Sequence, residues 1–159
     1  MTKKTSDDIW TEVYDNGCKN GVETLPFDLK QLWYYIDFTY YVDNGGPTGF
    51  LYNKSTTEDE FNNYFQPYIE SWTFFGLLDL VRLVENYSDR YLEAAKDYNR
   101  NDKKDFDQYK MKFKVDEIVE ELDPLIEKIV WTDKNQKVWN WLDENIDKLQ
   151  RLIQTTYKC

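Results

Sequence analysis

Residues 26–53 read PFDLKQLWYYIDFTYYVDNGGPTGFLYN, and this stretch carries the two signals that decide the fold. In its first half, large apolar side chains recur at intervals of three and four, which is the spacing of one buried face of an α-helix: Leu29, Leu32, Trp33, Ile36 and Tyr40. The second half combines residues that tolerate a left-handed backbone with a proline. The stretch therefore predicts a central aromatic helix from Pro26 to about Asp43, followed by a tight turn.

The predicted turn is built from Asn44, Gly45 and Gly46, and Pro47 directly follows it. Proline suits the first position of a helix, where no backbone N–H is needed, so a short helix is predicted from Pro47 to Tyr52. Asn53 is the predicted end of that helix. We expect Gly45 and Gly46 to set the angle between the two helices.

Cap and break signals divide the rest of the N-terminal half. Thr5 or Ser6 can cap a helix over 5–16, which Asn16-Gly17 should end. Thr57 to Glu60 forms a capping box for a further helix, which Pro67 should break or kink. Gly76 marks the junction to the next helix.

The C-terminal half continues the helical pattern. Residues 89–98 continue that next helix or form a separate one, and 99–114 are the least apolar part of the chain and predict an exposed connection or insertion. Two segments meeting at Pro124 and a regular apolar stripe from Val138 to Ile153 follow. No strand pattern occurs, so the sequence predicts one all-α domain over 1–159 with about seven helices and no sheet.

Composition excludes several classes of function. The chain of 159 residues has a net charge of −10 and no histidine, which removes Ser-His-Asp triads, Cys-His dyads and histidine metal ligation. An acidic balance disfavours direct binding to nucleic acid or to an anionic membrane. No apolar run approaches the ~20 residues of a membrane helix, and the first eight residues lack the apolar run expected of a signal peptide. Two cysteines, Cys18 and Cys159, do not form a disulfide framework, so a reduced, cytoplasmic protein is predicted.

A calcium-loop spacing that starts at Asp97 fails because Asp102 stands where the loop needs glycine and Gln108 where it needs glutamate. The abundant carboxylates show no spacing that selects a catalytic pair. We therefore predict no metal, no cofactor and no enzymatic activity.

Acidic residues recur along two helices at intervals of about one turn. Like charges at this spacing repel by a few tenths of a kcal/mol per pair, which a cationic partner would relieve, although a solvated surface is the simpler interpretation. Residues 5–93 alone carry a charge of −11. The candidate partner-binding residues are Glu85, Asp89, Glu93, Asp97, Asp116, Glu120 and Glu127.

The segment from Val42 to Asn53, followed by Gly76, resembles the pattern of a bacterial family of small helical domains that is named for a DNA-mimic protein. Over about residues 28–90 the chain shares Val42, Asn44, Gly45, Gly46, Phe50, Asn53 and Gly76 with that pattern. It departs at Pro47, Gly49 and Leu77, where the family has Phe, Gln and Ala. The resemblance implies a helical fold and an acidic module that binds a protein by presenting carboxylates in place of phosphates.

The predicted function is a non-catalytic module that binds a basic protein partner, with DNA mimicry as its special form. One alternative is a toxin-neutralising immunity-type protein. A second is a small-ligand binder or enzyme with an aromatic pocket near the Asn-Gly-Gly turn, and a third is a homodimer formed through exposed rings. A ring-lined cavity beside Asn44 or Asn53 would favour the ligand binder.

Overall fold

The computed structural model describes residues 4–52, 58–86, 89, 115–131 and 135–157. These ranges are almost entirely helical and contain no strand, so the predicted all-α class is confirmed. Six α-helices are described, against about seven predicted. Asn53, Glu93, Asp97, Cys159 and the predicted connection at 99–114 lie outside the described residues.

In chain order the helices are α1 (Ser6–Asn20), α2 (Phe27–Tyr52), α3 (Glu58–Phe74), α4 (78–86), α5 (Val115–Trp131) and α6 (Asn135–Thr156), with a 3-10 turn at Val22–Thr24. α2 is the centre of the fold because it packs against α1, α3, α5 and α6. Its 26 residues give it a length of about 39 Å at 1.5 Å per residue.

The start of α1 confirms the predicted cap. The Thr5 hydroxyl accepts from the backbone N–H of Asp8, and the Asp8 carboxylate accepts from the backbone N–H of Thr5. The predicted end at Asn16-Gly17 is wrong, because α1 continues to Asn20 and ends at Gly21, whose φ is 89°. Gly17 is instead buried within the helix.

The predicted turn at Asn44, Gly45 and Gly46 is also wrong, since α2 remains helical across these residues and across Pro47. Asn44 does not cap a helix end. Its Nδ2 donates to the carbonyl oxygen of Tyr40, one turn earlier, at 2.8 Å. A proline inside a helix costs about 3 kcal/mol, which a helix packed against four neighbours can sustain. Gly45 and Gly46 therefore do not set an angle between two helices.

Prolines inside α3 and α5 do not break those helices either. Pro67 is followed at once by Tyr68, which is 4% exposed, and Pro124 is followed by Ile126 and Val130, which are 0% and 3% exposed. Burial of these side chains favours continuing the helix past the lost hydrogen bond. The predicted division at Pro124 is replaced by one helix.

The predicted junction at Gly76 is confirmed. Gly76 has a φ of 68°, and α3 ends there with two backbone hydrogen bonds typical of a left-handed helix cap. Leu77 N–H donates to the Trp72 carbonyl at 2.8 Å, and Gly76 N–H donates to the Thr73 carbonyl at 3.0 Å. The chain then enters α4.

One apolar cluster takes side chains from all six helices, and its largest fully buried members are Trp72, Tyr35, Phe38 and Phe65. Two polar contacts join α3 to α2 within it. The Ser71 hydroxyl donates to the Gln31 carbonyl at 2.6 Å, and the Tyr68 hydroxyl donates to Asp37 Oδ2 at 2.5 Å. The prediction of one domain over 1–159 also covers residues outside the described ranges and stays a prediction.

Candidate functional site

The α5 helix presents a row of carboxylates. Glu120, Glu121 and Glu127 are exposed, whereas Asp123 is half-buried. Burial raises the pKa of the Asp123 carboxyl, and the nearby charges of Glu127 and Glu120 raise it further. Three of these acids therefore lie within electrostatic reach of one another, as their spacing predicts.

Three of the α5 acids have no ion-pair partner within the described ranges. Ion pairs in the described ranges join Lys4 to Glu12, Lys30 to Glu23, and Lys148 to Asp28. These pairs involve residues in or next to α1, the 3-10 turn, α2 and α6. Glu120, Glu121 and Glu127 take part in no hydrogen bond or ion pair within the part of the chain that is described.

The other predicted acids are placed only in part. Glu85 on α4 and the helical Asp89 are exposed, and Asp116 lies on α5 with its side chain undescribed. Glu93 and Asp97 lie outside the described residues. That the two acidic rows share one surface stays a prediction.

A concave site lies where α1, α2, α5 and α6 meet, and we call it the four-helix cavity. Its volume is about 280 Å³. Its lining residues are Asp7, Trp10, Thr11, Thr39, Tyr40, Asp43, Val130 and Trp139. Asp7 and Thr11 are one turn apart on α1, as are Thr39 and Asp43 on α2, so each helix turns one face towards the cavity.

Aromatic rings form the walls of the four-helix cavity. The indoles of Trp10 and Trp139 stack at 4.8 Å between ring centroids with an interplanar angle of 9°. Tyr40 contacts Tyr14 edge to face at 4.5 Å. Because Trp10, Tyr40 and Trp139 are half-buried, part of each ring faces solvent.

The floor and the rim differ in polarity. Thr39 and Val130 form a buried floor, and the Thr39 hydroxyl donates to the Ile36 carbonyl at 2.7 Å. Asp7 and Asp43 lie exposed at the rim. Within the described ranges neither carboxylate has a hydrogen bond or an ion pair. The cavity thus has two carboxylates without described partners at its rim and aromatic rings in its walls.

This donor set does not resemble a metal centre. No three His, Cys, Asp or Glu side chains are grouped as metal ligands within the described ranges. Two carboxylates beside indole rings fall well short of the six to eight oxygen ligands that Ca²⁺ takes.

The sequence prediction of a ligand binder required a ring-lined cavity beside Asn44 or Asn53. The four-helix cavity is lined by Asp43, which precedes Asn44 in the chain, but Asn44 itself is not among its described lining residues. Asp7, Thr11 and Trp139 also line the cavity, although the sequence pattern does not indicate them. No sequence signal joins these residues, because they lie on two helices at opposite ends of the chain. Only the packing of α1 against α6 brings them together.

No helix in the described ranges combines the length and hydropathy needed to cross a membrane. Comparison with known families finds that the model of the family described as DMP19-like protein matches residues 23–152, a wider range than the resemblance over 28–90 indicated. No curated protein and no solved structure matches the chain.

Proposed function

Since the chain belongs to the DMP19-like protein family, we propose that it is an acidic interaction module that binds a basic, DNA-binding protein in place of DNA. The observation that carries this proposal is the α5 row, in which Glu120 and Glu127 are exposed on either side of the half-buried Asp123, whose pKa is raised first by burial and then by these two charges.

The spacing of the α5 acids supports mimicry of a phosphate row. Along the helix axis, Glu120 and Asp123 are about 4.5 Å apart, and Asp123 and Glu127 about 6 Å apart, at 1.5 Å per residue. One strand of duplex DNA carries a charge every ~3.4 Å of axis. The spacing between charges in the α5 row is therefore within a factor of two of the phosphate spacing along one DNA strand. A mimic of both strands needs a second row of acids. We propose Glu85, Asp89, Glu93 and Asp97 for that row.

Electrostatics supply the driving force. Burial disfavours the charged form of Asp123, and repulsion from Glu127 and Glu120 adds to this penalty. Lys or Arg side chains of a partner would relieve the repulsive part. Binding should therefore weaken as salt rises, because exposed charges more than ~10 Å apart are largely screened at 0.1 M ionic strength.

Matched charge variants test the proposal. The triple variant Glu120→Gln, Glu121→Gln, Glu127→Gln neutralises the α5 row. The control Asp15→Asn, Glu70→Gln, Glu144→Gln removes the same number of exposed charges from α1, α3 and α6. Each immobilised protein is incubated with proteins eluted from a duplex DNA matrix, at salt concentrations from about 50 to about 200 mM.

We expect the wild type and the control to retain a protein that free duplex DNA displaces, with retention falling as salt rises. The α5 variant should lose that retention. The proposal would be overturned if the two triple variants retained the partner equally, or if free duplex DNA did not displace the retained protein.

A further inference from the structure

We propose that the four-helix cavity is a binding site for a small organic cation that carries a guanidinium or alkylammonium group. The proposal concerns residues that the α5 row does not include, and it stands whether or not a basic protein binds α5.

The polarity of the lining selects a cation. Among the eight lining residues that the structure describes none is basic, and Asp7 and Asp43 supply two carboxylates without partners in the described part of the chain. The Thr39 hydroxyl donates its hydrogen to the Ile36 carbonyl, so its oxygen can only accept a hydrogen bond from a ligand. A ligand rich in N–H donors and positive charge matches these acceptors, whereas an anion would be repelled.

The walls select an organic cation over a metal ion. Aromatic faces attract ammonium and guanidinium groups that lie within ~6 Å of the ring centroid. Trp10, Tyr40 and Trp139 are half-buried around the cavity, so their rings can contact both the charged group and an attached alkyl chain. A divalent metal ion needs oxygen ligands in place of its water, and rings cannot provide them.

The size of the cavity limits the ligand. At about 280 Å³ the cavity is close to the lower limit of ~300 Å³ for small-molecule sites. Sites for larger ligands reach ~1,000 Å³. A charged head group on a short alkyl chain fits this volume, with the head between Asp7 and Asp43 and the chain towards Val130.

Titration calorimetry with small probes tests the inference. The probes are n-butylguanidinium, n-butylammonium and n-butylurea, the last being a neutral molecule close in shape to the guanidinium. We expect saturable binding of at least one cation, at least about tenfold tighter than binding of the urea. Equal binding of the urea, or no saturable binding of either cation at millimolar concentration, would overturn the proposal.

Two charge-only variants locate the site. Asp7→Asn and Asp43→Asn each remove one rim charge, and we expect each to weaken cation binding about tenfold. The control Asp15→Asn removes an exposed charge from α1 outside the cavity and should leave binding unchanged. Since Asp7 and Asp43 are exposed and unpaired, thermal unfolding should show both variants folded.

Indole N–H signals in NMR spectra give an independent readout. The cation should shift the signals of Trp10 and Trp139 and leave that of Trp72, which is fully buried outside the lining, in place. Shifts confined to other tryptophans, or unchanged affinity in both rim variants, would show that the cavity is not the binding site.

Discussion

Gly17 and Trp33 pack so closely that a single carbon added to the glycine would overlap with Cδ1 and Nε1 of the indole. The contact holds α1 against α2. The Trp33 ring also stacks on Tyr14 at 5.8 Å, and its Nε1 donates to the Tyr14 carbonyl at 3.1 Å. Gly17 is thus a contact residue in the interior of a helix, although its place after Asn16 is typical of a helix end.

Replacing Gly17 with alanine should destabilise the protein, although glycine-to-alanine changes inside helices ordinarily stabilise by about 1 kcal/mol. The added methyl must displace the Trp33 ring, and overpacking of this kind costs about 1–3 kcal/mol. Urea denaturation measures the change. Asp15→Ala, at an exposed site of α1, should stay within ~0.5 kcal/mol of the wild type.

A second-site change separates crowding from any other effect of the alanine. In a Trp33→Leu background the indole atoms are gone, so Gly17→Ala should cost less than it does in the wild type. If Gly17→Ala lowered the free energy of unfolding equally in both backgrounds, steric overlap with the indole would not be the cause.

Substitutions at Gly76 should be graded by their tolerance of a positive φ. A Cβ added there would have Lys137 Nζ, at 3.9 Å, as its nearest neighbour, so space does not limit the side chain. Backbone strain remains, and a left-handed residue costs about 1–2 kcal/mol in alanine. Unfolding free energies should fall in the order glycine, asparagine, alanine, valine. Equal stability of Gly76→Ala and the wild type would contradict the φ of 68°.

Asp123→Asn should stabilise the protein at neutral pH. The pKa of Asp123 is raised in the folded state, so the fold disfavours the charged form, and the penalty builds as pH rises above the ordinary value of 3.8. The gain from the asparagine should therefore be present at pH 7 and vanish below about pH 3.8. Denaturation at a series of pH values measures the stability gained from the asparagine. Glu121→Gln, at an exposed position, is the control for the loss of one negative charge. A gain that grows towards acid pH would refute the expectation.

Alkaline pH should unfold the protein because several buried or half-buried tyrosines would have to ionise. Burial, with the charges of Glu23 and Asp37, raises the pKa of Tyr34 to about 12, and burial raises the pKa of Tyr35 and Tyr68 as well. The unfolded chain releases these protons near the ordinary value of 10.0, so stability falls as pH rises through and above 10. Tyrosinate absorbance and loss of helical circular dichroism should rise together. Full ionisation of the tyrosines with the helices intact would contradict this prediction.

The sequence predicted the helices well where the signal was an apolar stripe or a side-chain cap. Leu29, Leu32 and Ile36 are fully buried on α2, and Thr5 caps α1 as its spacing with Asp8 allows. These signals are local, since each depends on residues within a few turns of the same helix.

Helix ends or breaks predicted from glycine and proline were wrong where tertiary contacts outweigh the local preference of these residues. Gly17 marks a close approach of two helices, and α2, α3 and α5 continue through Pro47, Pro67 and Pro124. Each proline removes one backbone hydrogen bond, a loss that burial of neighbours such as Phe65 can offset. A local rule cannot weigh that burial, because the packing partners come from other parts of the chain.

The two candidate sites also differ in whether the sequence alone could predict them. The α5 row could be predicted because Glu120 and Glu127 are two turns apart on one helix. The four-helix cavity could not, because Asp7 and Asp43 meet there only through the packing of four helices.

The pairing of α1 with α6 also determines when the protein can fold during synthesis. Trp10 stacks on Trp139, and the Ser6 hydroxyl donates to the Asp143 carboxylate, although 137 residues separate the second pair. A growing chain presents Trp10 without this partner until translation has passed Trp139. Domains usually fold in order from the N-terminus as they emerge from the ribosome. α1 therefore cannot complete these contacts until α6 has been made, so this part of the core closes only after residues 139–143 have left the ribosome.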